Sequence, residues 1–187
     1  MRARLTLQEA TSKQSLTWLW TGPFPVHQTS FSDIASITQR SPEHGTLRAG
    51  KGIELLSVEI SATGSALHPI SLQEFVVATS RTTNVTTTNW ILRDEESGAT
   101  LPCTENSETR IVSCSALSSA MGRIMAGSSR TFSLLADVSI AGNSPMHTLS
   151  LRFEPGSPNA AGGIGWTDAA GTFRWVDVPA LSGVTRE

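Results

Sequence analysis

Hydrophobic residues recur at every second position along much of the chain, which is the repeat of strands half-buried in a sheet and not of helices. Between Ile53 and Ala62, Leu56, Val58 and Ile60 fall on one face and Ser57, Glu59 and Ser61 on the other. Thr131 to Val138 reads the same way, with Phe132, Leu134, Ala136 and Val138 opposed by Ser133, Leu135 and Asp137. Shorter alternating runs cover Ile34 to Gln39, Asn89 to Asp94 and Leu149 to Phe153. The last is expected to partner the run 131–138 across the turn residues Gly142-Asn-Ser-Pro145. Ile164 to Thr167 and Thr172 to Val178 predict a closing hairpin around Asp168-Ala-Ala-Gly171. Ile70, Leu72, Phe75 and Val77 keep the strand period only if one residue is inserted near Gln73-Glu74, as in a β-bulge, with helix as the competing reading. A helical turn is expected only near Ala116 to Met121. Short strands at this spacing predict an all-β fold, an antiparallel β-sandwich of immunoglobulin- or fibronectin-like architecture, over residues 31–187.

Residues 1–30 break the pattern and read as a leader or inter-domain linker. Within them Leu16, Trp18 and Trp20 share one face of a strand-like run, followed by the breaker-rich Thr21-Gly-Pro-Phe-Pro-Val. Trp18 and Trp20 form one candidate ligand platform and Trp166 and Trp175, expected to face each other across the closing hairpin, form another. Burial against a neighbouring sheet is the competing and favoured reading for the first pair, because tryptophan usually lies largely buried. Met1-Arg-Ala-Arg resembles the charged start of an export signal, but Leu5-Thr-Leu-Gln-Glu-Ala-Thr-Ser-Lys follows where an apolar run should be. No stretch approaches the roughly 20 apolar residues of a membrane-spanning helix.

Charge narrows the partners. The 187 residues carry 14 basic and 16 acidic side chains, 16% charged in all, with no basic cluster. A nucleic-acid partner, which calls for a stripe of Lys and Arg, is not expected. Polar surface comes instead from Ser, Thr and Asn, a bias common in secreted chains. Asn84-Val-Thr86 fits the acceptor pattern for N-glycosylation, a short pattern that also arises by chance in a Thr-rich chain.

The two cysteines bear on compartment. Cys103 and Cys114 flank the turn-forming Asn106-Ser107, and a hairpin centred near Glu108 and Thr109 would set them opposite each other across the ladder. A disulfide or two buried free thiols are both open on this reading, and the pairing favours the bridge and an oxidising compartment. Zinc would need four ligands, and no His or second Cys pair accompanies these two.

No arrangement for catalysis is evident. There is no Gly-x-Ser-x-Gly elbow, and His27, His44, His68 and His147 each sit beside turn residues without a His-x-x-x-His or His-x-Glu pattern. The run Asp94-Glu95-Glu96 is the densest acidic cluster; before Gly98 it reads as a solvated turn more readily than as a glycosidase pair or a calcium loop. Gly162-Gly-Ile-Gly165 lacks the Lys and helix of a phosphate cradle. Neither cofactor nor metal is expected.

Three stretches together resemble the modular β-sandwich domains of large surface and S-layer-like proteins from uncultivated, small-genome candidate-phyla bacteria. They are Gly45-Thr-Leu-Arg-Ala-Gly50, Ile124-Met-Ala-Gly-Ser-Ser-Arg-Thr-Phe-Ser-Leu-Leu-Ala-Asp-Val138, and Gly163-Ile-Gly-Trp-Thr-Asp168 with Trp175-Val-Asp-Val-Pro179 and Leu181-Ser-Gly183. The resemblance covers roughly residues 31–185; the cysteine pair and residues 1–30 depart from it. It implies a non-catalytic structural or adhesive module at the cell surface or outside the cell, partnered by other domains of the same or neighbouring surface proteins. A carbohydrate-binding module using its tryptophans, with glycans as ligand, and an enzyme with a loop-borne site are the alternatives.

Overall fold

The computed structural model describes residues 31–142, 146–153, 162–174, 176 and 183–187, together with the backbone of residues 3–8 and 15–20. Strands β1 (Ala3–Gln8) and β2 (Ser15–Trp20) form an antiparallel ladder of their own, in which Leu5 faces Trp18 and Ala3 faces Trp20. The remaining elements follow in chain order. They are β3 (Ser32–Gln39), β4 (His44–Gly45), β5 (Gly50–Gly64), β6 (Ile70–Arg81), β7 (Val85–Asp94), β8 (Thr100–Pro102), β9 (Thr104–Asn106) and β10 (Ile111–Ser115). After these come α1 (Ser119–Gly122), β11 (Arg123–Ile124), β12 (Ser129–Ile140), β13 (Leu149–Arg152), β14 (Ile164–Thr167), β15 (Thr172–Phe173) and β16 (Val184–Arg186).

Two sheets pack face to face as a β-sandwich. The first has the order β3-β5-β12-β7-β8, all antiparallel, with the long alternating strands β5 and β12 at its centre. The second is built along β6. β10 and β14 overlap on β6 at Glu74 and Phe75, and β10 and β13 overlap at Ala78, so β10 must lie on one edge and β14 and β13 on the other. β16 continues from β13, and β4 then joins β16 as a parallel pair. Between the sheets the alternating side chains interlock: Leu56, Val58, Ile60, Leu92, Phe132 and Leu134 from the first meet Ile70, Leu72, Phe75, Val77, Leu149 and Leu151 from the second, all at most 1% exposed. Each such side chain contributes ~1.5–3 kcal/mol on leaving water, which is the main force holding the layers together.

The bulge read near Gln73 is present. β14 pairs Gly165 with Glu74 and Trp166 with Leu72, so Gln73 is the extra residue, and Leu72 and Phe75 both stay buried across it. A second bulge falls at Leu55, skipped between the pairs Leu134 with Leu56 and Leu135 with Glu54, which turns Leu55 and Leu56 alike into the interior. α1 spans one turn and overlaps the expected helical segment at residues 119–121, capped by the Ser118 hydroxyl, which accepts from the Met121 N–H at 3.4 Å.

Two expectations about pairing are corrected. β13 does not partner β12: β12 lies between β5 and β7 in the first sheet, and β13 lies between β6 and β16 in the second. β12 already has a neighbour on each edge, so β13 takes its place in the other sheet. In the closing hairpin the partner of Trp166 is Phe173, not Trp175, with ring centroids 4.2 Å apart; Trp175 lies outside the described residues.

Gly163 marks a place where backbone meets backbone. Its carbonyl accepts the Val76 N–H at 2.7 Å, and a Cβ there would stand 2.4 Å from the Val76 oxygen and 2.7 Å from the Phe153 ring. Gly163→Ala is expected to lower the unfolding free energy by roughly 1–3 kcal/mol through forced separation of β6 and the strand entrance. Urea unfolding followed by tryptophan fluorescence measures this; an unchanged midpoint would show that the approach relaxes freely.

Candidate functional site

The described residues offer four places where polar chemistry gathers. The first is the crossing between the sheets at Cys103. β8 is the outer strand of the first sheet and β9 the outer strand on one side of the second, and only Cys103 separates them. Its N–H still bonds the Trp90 carbonyl of β7 at 2.8 Å, while its sulfur is joined to Cys114 on β10 with the Cα atoms 4.4 Å apart. β9 and β10 pair as a hairpin centred between Glu108 and Thr109, with Asn106 opposite Ile111. The disulfide thus ties the second sheet to the strand that is leaving the first.

Beside it lies a buried polar network. Glu105 on β9 accepts from Arg81 Nη1 at 2.6 Å and from the Trp90 indole N–H at 3.0 Å, and Arg81 also donates to Thr87 Oγ1 at 2.5 Å. Arg81 belongs to the second sheet and Thr87 and Trp90 to the first, so one carboxylate bridges both layers. With the Arg81 and Glu105 side chains 11% and 12% exposed, each needs the other, since an unpaired charge there would keep its desolvation cost.

The acidic run is the third place, and its reading as a solvated turn holds for the exposed Glu95 and Glu96 and is corrected for Asp94. The turn exists, but Asp94 is fully buried. Its carboxylate accepts from Arg130 Nη1 at 2.6 Å and Ser97 Oγ at 2.5 Å. Arg130 Nη1 also reaches the carbonyls of Ala120 and Met121 at 2.6 and 2.8 Å, so the pair clamps α1 to the first sheet. Glu95 is held below the usual carboxylate range by its hydrogen bond with Ser133 and by Arg93. Burial and the contact with Asp94 push Glu96 up, although both its oxygens accept the Thr131 N–H. The three carboxylates are held by different donors, Asp94 by Arg130, Glu95 by Ser133 and Arg93, and Glu96 by the Thr131 N–H.

The fourth is Asp168, in the β14–β15 turn, which is 1% exposed. It accepts the N–H groups of Phe31 and, at 3.0 Å, of Ser32, the first residue of β3, and that of Ala170 at 2.9 Å. Burial alone pushes its carboxyl up, but donation from Ser32, Ala170, Phe31 and Gly171 outweighs this and holds it below the usual range. Next to it a shallow hollow of about 300 Å³ is lined by Leu67, His68, Pro69, Arg123 and Thr167 among others, with Phe31 stacked on His68 at 4.3 Å.

Of the candidate platform residues, Trp166 is 2% exposed and covered by Phe173, so it offers no ring face to a ligand. The side chains of Trp18 and Trp20, and all of Trp175 and His27, lie outside the described residues. His44 stands in β4, His68 in the turn before β6, and His147 beside β13, so these three are spread over the fold and not gathered. Asn84 is half-buried and donates to the Met146 carbonyl at 3.4 Å. Among the described residues no three His, Cys, Asp or Glu side chains are grouped to hold a metal ion, and no helix is long and apolar enough to cross a membrane.

Comparison with known proteins adds little. No family model matches the chain, and no curated protein matches it. Among solved structures the chain is similar to BcpA*(D312A), the major pilin subunit of Bacillus cereus, at 10% identity and a TM-score of 0.34, over 93% of this chain and 48% of that one. The chain spans about half the length of that pilin, and a likeness this distant carries no functional argument.

Sequence reasoning missed Asp168 and Asp94 as buried anchors. The Asp168 turn had a local signal, a carboxylate two residues before an N–H it accepts, but its bond to Ser32 spans 136 residues and has no sequence mark. Two outcomes follow. Replacing both cysteines by serine should cost ~3 kcal/mol, readable as a lower urea midpoint than the oxidised protein and one insensitive to reductant. For Asp168 the folded-state pKa is depressed, so its stabilisation is present above the unfolded value near 3.9 and is lost as pH falls through the folded one. Asp168→Asn should therefore cost roughly 1–3 kcal/mol at pH 7 and flatten the stability profile below about pH 4; a wild-type profile with no acid loss beyond that of the variant would contradict this.

Proposed function

We propose that the domain is a non-catalytic structural or adhesive module of a cell-surface or extracellular protein, partnered by other domains of the same or neighbouring surface proteins. The observation that carries the reading is the Cys103–Cys114 disulfide at the sheet crossing. Disulfides persist in oxidising compartments and are rare where glutathione keeps thiols reduced. The use of the buried ionisable groups supports it further. Asp94, Glu105 and Asp168 bond to other strands and turns of the same sandwich, which is the use a scaffold makes of buried charge. The resemblance of residues 31–185 to surface-protein modules points the same way.

The test has two arms. Protein recovered from its native compartment should have a mass two hydrogens below that of the reduced chain, with no thiol reacting before reduction. Deleting residues 31–187 from the parent protein should impair surface assembly or cell attachment. Two free thiols in the native protein overturn the compartment, and intact assembly and attachment after deletion overturn the role.

A further inference from the structure

The register fixes where the polypeptide enters and leaves the sandwich. Ser32 at the start of β3 lies beside Gly64 of β5 and is held by Asp168, whose turn follows Thr167, the partner of Ser71 at the start of β6. Arg186 in β16 pairs with Leu149, which in turn pairs with Arg81 at the far end of β6. Entry and exit are therefore at opposite poles, separated by the length of β6, roughly 36 Å from the first to the last of its twelve residues at about 3.3 Å per step.

The two outermost connections run in the same sense. β3 is antiparallel to β5, and β16 is parallel to β4, and both β3 and β16 advance from the entry pole toward the exit pole. Between them the chain switches sheets at Arg40 to Glu43. The seam of β4 with β16 is closed by three backbone bonds: Thr185 N–H to the Glu43 carbonyl at 2.6 Å, Glu187 N–H to Gly45 at 2.8 Å, and Leu47 N–H to Glu187 at 2.6 Å. The Arg186 side chain, on a residue 9% exposed, passes into the interior and donates to the Pro42 carbonyl at 3.3 Å and to the Leu55 carbonyl of the first sheet at 3.4 Å. Gly45 leaves room for it, since a Cβ there would stand 2.3 Å from Nη1.

We infer that the domain transmits tension along its long axis, with the β4–β16 seam, the Arg186 anchor and the β3–β5 ladder resisting in shear. This rests on the structural role proposed above and adds to it a direction of force. A pull on residues before Phe31 and after Glu187 drags β3 and β4 one way and β16 the other, along parallel lines. The bonds joining them lie across that line, so they stretch together and must fail together. The same bonds pulled from one pole would open one after another. The partner implied is whatever chain continues the line of force at each pole, and forced unfolding reads the barrier along that line, not the equilibrium stability.

The experiment is single-molecule pulling of the full chain in two geometries at one loading rate. Handles ahead of Phe31 and after Glu187 load the seam in shear. Handles at Ala141 and after Glu187 are both at the exit pole, because Ala141 bonds Asn84 in the turn following β6. The expected result is an unfolding force at least twofold higher in the first geometry. Glu187→Pro, at an exposed position, removes one seam donor; it should lower the first force toward the second while leaving the chemical denaturation midpoint nearly unchanged. Equal forces in the two geometries, or a variant that loses midpoint but not force, overturn the inference. A bridged, assembling domain with equal forces removes the mechanical claim alone; a mechanically strong domain whose deletion is harmless removes the assembly role instead.

Discussion

The fold depends on how the chain passes from one sheet to the other at the edges of the sandwich. A strand that changes sheets must leave one ladder before it joins the next, and at that moment its backbone groups are exposed to loss of pairing. At Cys103 the exchange takes place within one residue, whose N–H remains in the first sheet while its sulfur is bound to the second. On the opposite flank Arg40 to Glu43 make the same passage without a covalent tie, and there the Arg186 guanidinium, reaching from the second sheet, bonds the Pro42 carbonyl of the passage and the Leu55 carbonyl of the first sheet. Both sides of the sandwich are thus closed, one by a covalent bond and one by a buried cation.

That closure explains the placement of charge. A chain with few ionisable groups nevertheless puts Asp94, Asp168, Glu105 and Arg186 in or near the interior, the two aspartates at strand ends and Glu105 and Arg186 within the short strands β9 and β16. Asp94 with Arg130 fastens α1, Asp168 holds the start of β3, and Glu105 joins the layers beside the disulfide. Burial pulls the Arg186 guanidinium down, opposed by Glu54, but a guanidinium stays protonated throughout the accessible pH range. Hydrophobic packing supplies the cohesion, and these groups fix which strand ends meet.

Local periodicity made much of this legible. Period two found β3, β5, β7 and β12 because each presents one face to the core. The slip of phase at Gln73 revealed its bulge because a single extra residue inverts every later side chain. The spacing of Cys103 and Cys114 about Asn106 was readable because a hairpin is a local object. What the sequence did not carry was the choice of distant neighbour. β13 alternates as a partner of β12 would, yet it pairs with β6, since a strand's pattern records which face is buried and not which edge is shared. Trp166 looks available when Trp175 is read as its partner, although the turn at Asp168 to Gly171 sets Phe173 opposite it.

The position of Arg186 also sets an order in time. The side chain that bridges the interior near Leu55 belongs to β16, which follows the other described strands along the chain and must be inserted between β13 and β4 before that side of the second sheet is complete. A nascent chain lacking this segment has an open seam and an unfilled passage between the layers, so closure waits until residue 186 has emerged.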